Sequence, residues 1–88
     1  MKKYEVIKCK RLAMGMTQSE FGEEVGVTGN TISRFESGEE MTPLVYKSIL
    51  YGMDRLTKSL RYEDYVTFQI VYRALMLKDI PEDEKLKT

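Results

Sequence analysis

Residues 14–38 read MGMTQSEFGEEVGVTGNTISRFESG, and their order specifies two short helices on either side of a tight turn. Thr17 followed three residues later by Glu20 is a capping box. The hydroxyl accepts from the backbone N–H three positions on, while the carboxylate reaches back to the N–H of Thr17, so a helix starts at Gln18. Phe21 and Val25, four apart, lie on one face of it. Gly26 supplies the left-handed conformation that ends the helix, and Val27 plugs the corner. Thr28 caps a second helix, a rod from Thr28 to Ser37 in which Ile32 and Phe35 face inward. Gly29, Asn30, Thr31, Ser33 and Arg34 are left for its outer face.

None of those outer residues is an acid, and their chemistry suits a base edge. Asparagine pairs bidentately with adenine and arginine with guanine, and a helix in the major groove offers its N-terminal residues to the bases. Asn30 and Arg34, one turn apart, are the candidate base-reading pair. Thr31 and Ser33 are candidates for a thymine methyl or a phosphate, and Gly29 for a close backbone approach to a duplex. The N-termini of the two helices, at Gln18 and Thr28, are candidate phosphate sites, with Lys10 as a further cation.

The stretch resembles the lambda-repressor and Cro-like (XRE) helix-turn-helix family over about residues 1–50. The resemblance implies a buried ion pair between Arg11, late in the first helix, and Glu36, at the end of the recognition helix. It implies that Gln18 touches the DNA backbone, that Gly22 stands where a small residue permits close helix crossing, and that Pro43 opens the next helix. One departure stands out. Relatives often carry lysine or arginine after the recognition helix, whereas this chain has Gly38, Glu39, Glu40 and Met41. Either that loop points away from the duplex, or other groups neutralise it, or affinity is modest.

Working outward, Tyr4, Ile7, Arg11 and Met14 make one face of a first helix spanning residues 3–14, which Gly15 ends. An arginine on an inward face needs a partner, because an unpaired buried charge costs several kcal/mol. Thr42-Pro43 opens a fourth helix that runs past Gly52 to about Ser59. Gly52 is expected to cost that helix about 1 kcal/mol relative to alanine. YVTFQIVY, residues 65–72, alternates like a strand, yet Glu63 and Asp64 before it and Ala74-Leu75-Met76-Leu77 after it suit a helix, which is the reading adopted. On that helix Val66, Ile70, Ala74 and Leu77 form one apolar stripe and Phe68, Val71 and Leu75 a second. One stripe would meet the chain's own core and the other a second copy, with Tyr65, Phe68, Tyr72 and Leu75 as the candidate dimer residues. The expected fold is therefore all-α, a bundle of about five helices in one domain (residues 1–79), with residues 80–88 a charged tail.

The chain has 88 residues, 42% hydrophobic and 32% charged, with 14 basic and 14 acidic side chains, the composition of one ordinary globular domain. Zero net charge is unusual for a nucleic-acid binder, but Lys2, Lys3, Lys8, Lys10 and Arg11 gather at one end and Asp79, Glu82, Asp83 and Glu84 at the other. No run approaches the ~20 apolar residues of a membrane span, and no long apolar stretch follows Met1, so a cytoplasmic protein is expected. With one cysteine and no histidine, neither a zinc set nor a histidine base can be assembled, and no metal or cofactor is expected. Cys9, flanked by Lys8 and Lys10, reads as a partly buried helix residue rather than a sensor thiol. Catalysis has no constellation to stand on. The leading expectation is a DNA-binding regulator, a phage-like or mobile-element repressor that occupies a double-stranded operator as a homodimer. The alternative is an antitoxin or antirepressor that holds a second protein on its Tyr62–Leu77 surface.

Overall fold

The computed structural model describes residues 1–78. Five helices follow one another: α1 (Lys3–Ala13), α2 (Gln18–Val25), α3 (Gly29–Glu36), α4 (Pro43–Lys58) and α5 (Tyr62–Lys78). Among the described residues there is no strand. The expected charged tail, residues 80–88, lies outside them.

Local chemistry accounts for the helix boundaries. Both arms of the capping box are made, with the Glu20 N–H donating to Thr17 Oγ1 at 3.1 Å and the Thr17 N–H to Glu20 Oε1 at 2.8 Å. The two bonds hold the Glu20 carboxyl below its ordinary range. Gly26 ends α2 at φ 84°, a conformation that L side chains adopt only at a cost. Thr28 and Thr42 cap α3 and α4 by accepting from Thr31 and Val45, with Pro43 at the first position of α4.

The core sits where α1 to α4 converge. Ile7, Phe21, Ile32, Phe35, Ile49 and Met53 are buried together, and Tyr4, Met14, Val25, Val27 and Tyr46 pack around them. The expected inward faces of α1, α2 and α3 are thus the ones used. Two glycines let the helices approach closely. A Cβ on Gly52 would overlap Val25 Cγ1, and one on Gly29 would come within 2.7 Å of Ser19 Oγ and 2.9 Å of Ser19 Cα. Gly29, expected to admit a duplex, therefore serves the crossing of α2 and α3.

YVTFQIVY is helical because that arrangement lets Phe68 and Tyr72, four apart, stand on one side against α1. Phe68 is only 3% exposed and borders a surface hollow with Ala13 and Met14. Its ring stacks on Tyr72 at 5.7 Å between centroids. Burial pushes the Tyr72 phenol up, with Cys9 adding to the effect, and Cys9 is itself buried. This corrects the expected division of α5. Phe68 faces the chain's own α1, Tyr72 and Leu75 are half-covered, and the stripe expected to enter the core is the outward one, with Val66, Ile70, Ala74 and Leu77 exposed. Tyr65 is partly exposed at 40%. Placing the rings against α1 is favoured because aromatic side chains bury more area per residue than the aliphatic stripe does.

Candidate nucleic-acid interface

A bidentate ion pair holds the start of α2 and the end of α3 to α1. Arg11 Nε donates to Glu36 Oε2 at 2.7 Å and Nη2 to Glu36 Oε1 at 3.0 Å, while Nη1 donates to the Met16 carbonyl at 2.7 Å. Arg11 and Glu36 are 6% and 8% exposed, so each charge is tolerable only because the other is there. Gln18 joins this group, its Nε2 donating to Glu36 Oε1 at 3.0 Å. That corrects the simple picture of Gln18 as an outward hand for the DNA backbone. One of its two amide N–H donors is used in the internal network, which leaves the other, together with the unpaired backbone N–H groups at the start of α2, to face outward.

The network ties α3 to the body of the domain and leaves its outer side open. Asn30, Ser33 and Arg34 are exposed and Thr31 is half-buried. The Thr31 hydroxyl lies 3.0 Å from the Thr28 hydroxyl, and the Thr31 N–H donates to Thr28 Oγ1. Both threonines are therefore engaged in capping, which makes Thr28 a fixture of the helix start more than a mobile phosphate contact. Among the described residues the Asn30 amide has no partner. Lys10 is half-buried with its Nζ 5.7 Å from the centroid of the Tyr72 ring, a cation–π distance. It belongs to the joint between α1 and α5, which weakens its claim as a phosphate contact.

The acidic loop after α3 has a definite structure that sequence reading missed. Ser37 closes the helix, Gly38 follows at φ 91°, and two backbone bonds run back, from the Gly38 N–H to the Phe35 carbonyl and from the Glu39 N–H to the Arg34 carbonyl. This is a Schellman turn, which places the residue after the left-handed glycine over the third-last residue of the helix. Glu39 thereby arrives at Arg34. Arg34 Nε donates to Glu39 Oε2 at 2.9 Å and Nη2 to Glu39 Oε1 at 2.8 Å. The paired hydrogen bonds hold the Glu39 carboxyl below its ordinary range and push the Arg34 guanidinium further up. Lys2, Lys3 and Tyr4 share a surface hollow with Glu39 and Glu40. Of the three ways in which the acidic loop could be reconciled with a phosphate backbone, neutralisation by other groups is the one this geometry favours. The available signal was a glycine at 38, an acid at 39 and an arginine five residues before it.

Among the described residues no group of His, Cys, Asp and Glu could hold a metal ion, and no helix is long and apolar enough to cross a membrane. In comparisons with known proteins, residues 7–45 match the family model described as helix-turn-helix. No curated protein and no solved structure gave a significant match. The matched stretch covers α1 from Ile7, all of α2 and α3 and the start of α4. It includes the Arg11–Glu36 pair and the Arg34–Glu39 pair, and it stops before α5.

Proposed function

We propose that the protein is a sequence-specific repressor that acts by occupying its operator, with residues 7–45, which match the helix-turn-helix family model, serving as a lambda-repressor and Cro-like DNA-binding unit. The observation that supports this reading is the outer side of α3, where Asn30, Ser33 and Arg34 stand exposed on a helix whose inner side is locked by Ile32, Phe35 and the Arg11–Glu36 pair. A rigid rod with short polar side chains near its N-terminus fits the major groove. Asn30 offers an acceptor and a donor to adenine, and Arg34 offers paired donors to guanine. Backbone N–H groups at the starts of α2 and α3 receive phosphates, with Lys2 and Lys3 adding cationic charge. A bound regulator of this kind works in the cytoplasm by excluding other proteins from the same DNA.

We extend the reading to a homodimer that uses the outward stripe of α5. Tyr62 and Ile70 are 80% and 66% exposed, and a second copy would align two recognition helices on half-sites about one DNA turn apart.

Selection of duplexes from a randomised library tests binding and half-site spacing together. Enrichment of a motif whose affinity falls steeply with salt is expected, by about 0.9 log units per log salt for each phosphate neutralised. Arg34→Ala should weaken the selected duplex by about 5- to 150-fold more than it weakens random duplexes, the span of one good bidentate base contact. Equal losses on both would make Arg34 a phosphate contact, and no enrichment would remove the DNA reading.

A further inference from the structure

We infer that Glu39 is a specificity-setting residue: its carboxylate holds the Nε/Nη2 edge of Arg34 and leaves the Nη1/Nη2 edge of this exposed side chain free to read a guanine. The inference rests on the proposed base-reading role of Arg34 and adds a residue that touches the base only through it.

A guanidinium has five N–H donors in a fixed plane. Two of them are used by Glu39, through Nε to Oε2 at 2.9 Å and Nη2 to Oε1 at 2.8 Å. Both protons of Nη1 and the second proton of Nη2 remain, and one from each nitrogen forms the end of the fork, the edge that matches the O6 and N7 acceptors of guanine. The same arginine can therefore hold a carboxylate and a base at once. An unheld arginine must lose its rotamer freedom on docking, whereas this one has lost much of it beforehand.

What fixes Glu39 is the backbone rather than chance contact between two long side chains. The Schellman bonds from Gly38 and Glu39 lock the turn, and Gly38 is left-handed with Tyr4 directly above it, so that a Cβ there would lie 3.1 Å from Tyr4 Cζ. Tyr4 packs against the core. The acid is thus anchored through the turn to α1. Glu40, next in the chain, is also exposed and acidic, but Arg34 is held by Glu39, so the two neighbouring acids have separable effects.

That separation gives the experiment. Wild type, Arg34→Ala, Glu39→Ala and Glu40→Ala are each challenged, at one salt concentration, with a duplex library carrying a randomised centre. All three positions are exposed, and thermal melting confirms that each variant folds. Removing either acid should raise binding to random duplexes, because a negative charge near the phosphates is gone. Only Glu39→Ala should also relax the guanine preference, by about 5-fold or more, at the base position where Arg34→Ala abolishes it. If that preference depends on Arg34 but persists or sharpens in Glu39→Ala, Glu39 is a competitor of the base and the inference is overturned while the reading of Arg34 stands. If Arg34→Ala leaves every preference unchanged, both fall together.

Discussion

Replacing Gly52 by alanine sets helix propensity against packing. Propensity alone expects a gain of about 1 kcal/mol, since glycine is about that much worse than alanine inside a helix. The structure reverses the sign. A Cβ on Gly52 would overlap Val25 Cγ1, lie 2.8 Å from Val25 Cβ and reach 3.5 Å from Val25 Cα. The atoms it meets belong to a β-branched side chain inside a helix, where a single χ1 rotamer dominates, so Val25 cannot simply swing aside. Either Val25 leaves its rotamer or α2 and α4 separate. Overpacking of this kind costs about 1–3 kcal/mol. A collision with a branch point rather than a flexible tip belongs near the top of that range, and the propensity gain leaves a net loss of roughly 1–2 kcal/mol. In a chain of this size each kcal/mol moves Tm by about 4–8 °C, so the variant should melt roughly 4–16 °C lower. Urea unfolding followed by far-UV circular dichroism should show a lower midpoint at unchanged slope. Val25→Ala should also destabilise by itself, yet raise the midpoint when added to Gly52→Ala, because the new methyl then has room. A Gly52→Ala protein as stable as wild type, or more so, would refute the reasoning.

Three further outcomes are expected. Glu36→Gln leaves the buried Arg11 guanidinium without its countercharge and should cost about 3–5 kcal/mol, a large part of the 5–15 kcal/mol typical of a whole domain. Arg11→Met combined with Glu36→Leu should cost much less, and urea midpoints that fall equally for both proteins would argue against a coupled pair. For the proposed homodimer, Ile70→Asp on the outward side of α5 should shift sedimentation to that of a monomer and remove the concentration dependence of Tm, while the far-UV spectrum stays helical. A dimer that survives the change must use another face. Glu20 and Glu39 are held below the ordinary carboxylate value of 4.5. Their contribution to stability is complete above that value and is lost as pH falls through their lowered folded values. Wild type should therefore lose Tm on acidification below pH 4.5 more steeply than a Glu20→Gln, Glu39→Gln double variant, and parallel curves would count against these contacts.

Most of the helix-turn-helix was legible in the sequence because its determinants are local. Thr17 with Glu20, Gly26, Thr28 and Thr42-Pro43 act within a few residues of themselves, and a cap or a left-handed glycine has the same meaning wherever the chain goes. The inward faces of α1, α2 and α3 followed from spacing alone. So did the need to pair Arg11, since an unpaired charge on an apolar face is costly in any fold, although Glu36 as its partner came from family resemblance.

What the sequence left open were choices between equivalent surfaces, and those are settled only when distant segments meet. α5 is apolar on two sides, so no periodicity could say which would lie on α1. The stacked rings of Phe68 and Tyr72 decide it, leaving Val66 and Ile70 outside. Gly52 looked like a weak point in α4 until Val25, 27 positions earlier, was seen to fill the space its side chain would take. Gln18 and Gly29 looked outward by position and proved to serve Glu36 and Ser19. The sequence by itself determined where helices begin and end and which faces α1, α2 and α3 hide, because those depend on near neighbours. Tertiary structure alone decided which polar groups remain for a duplex and that Arg34 is held by an acid, because a side chain's freedom depends on everything folded against it.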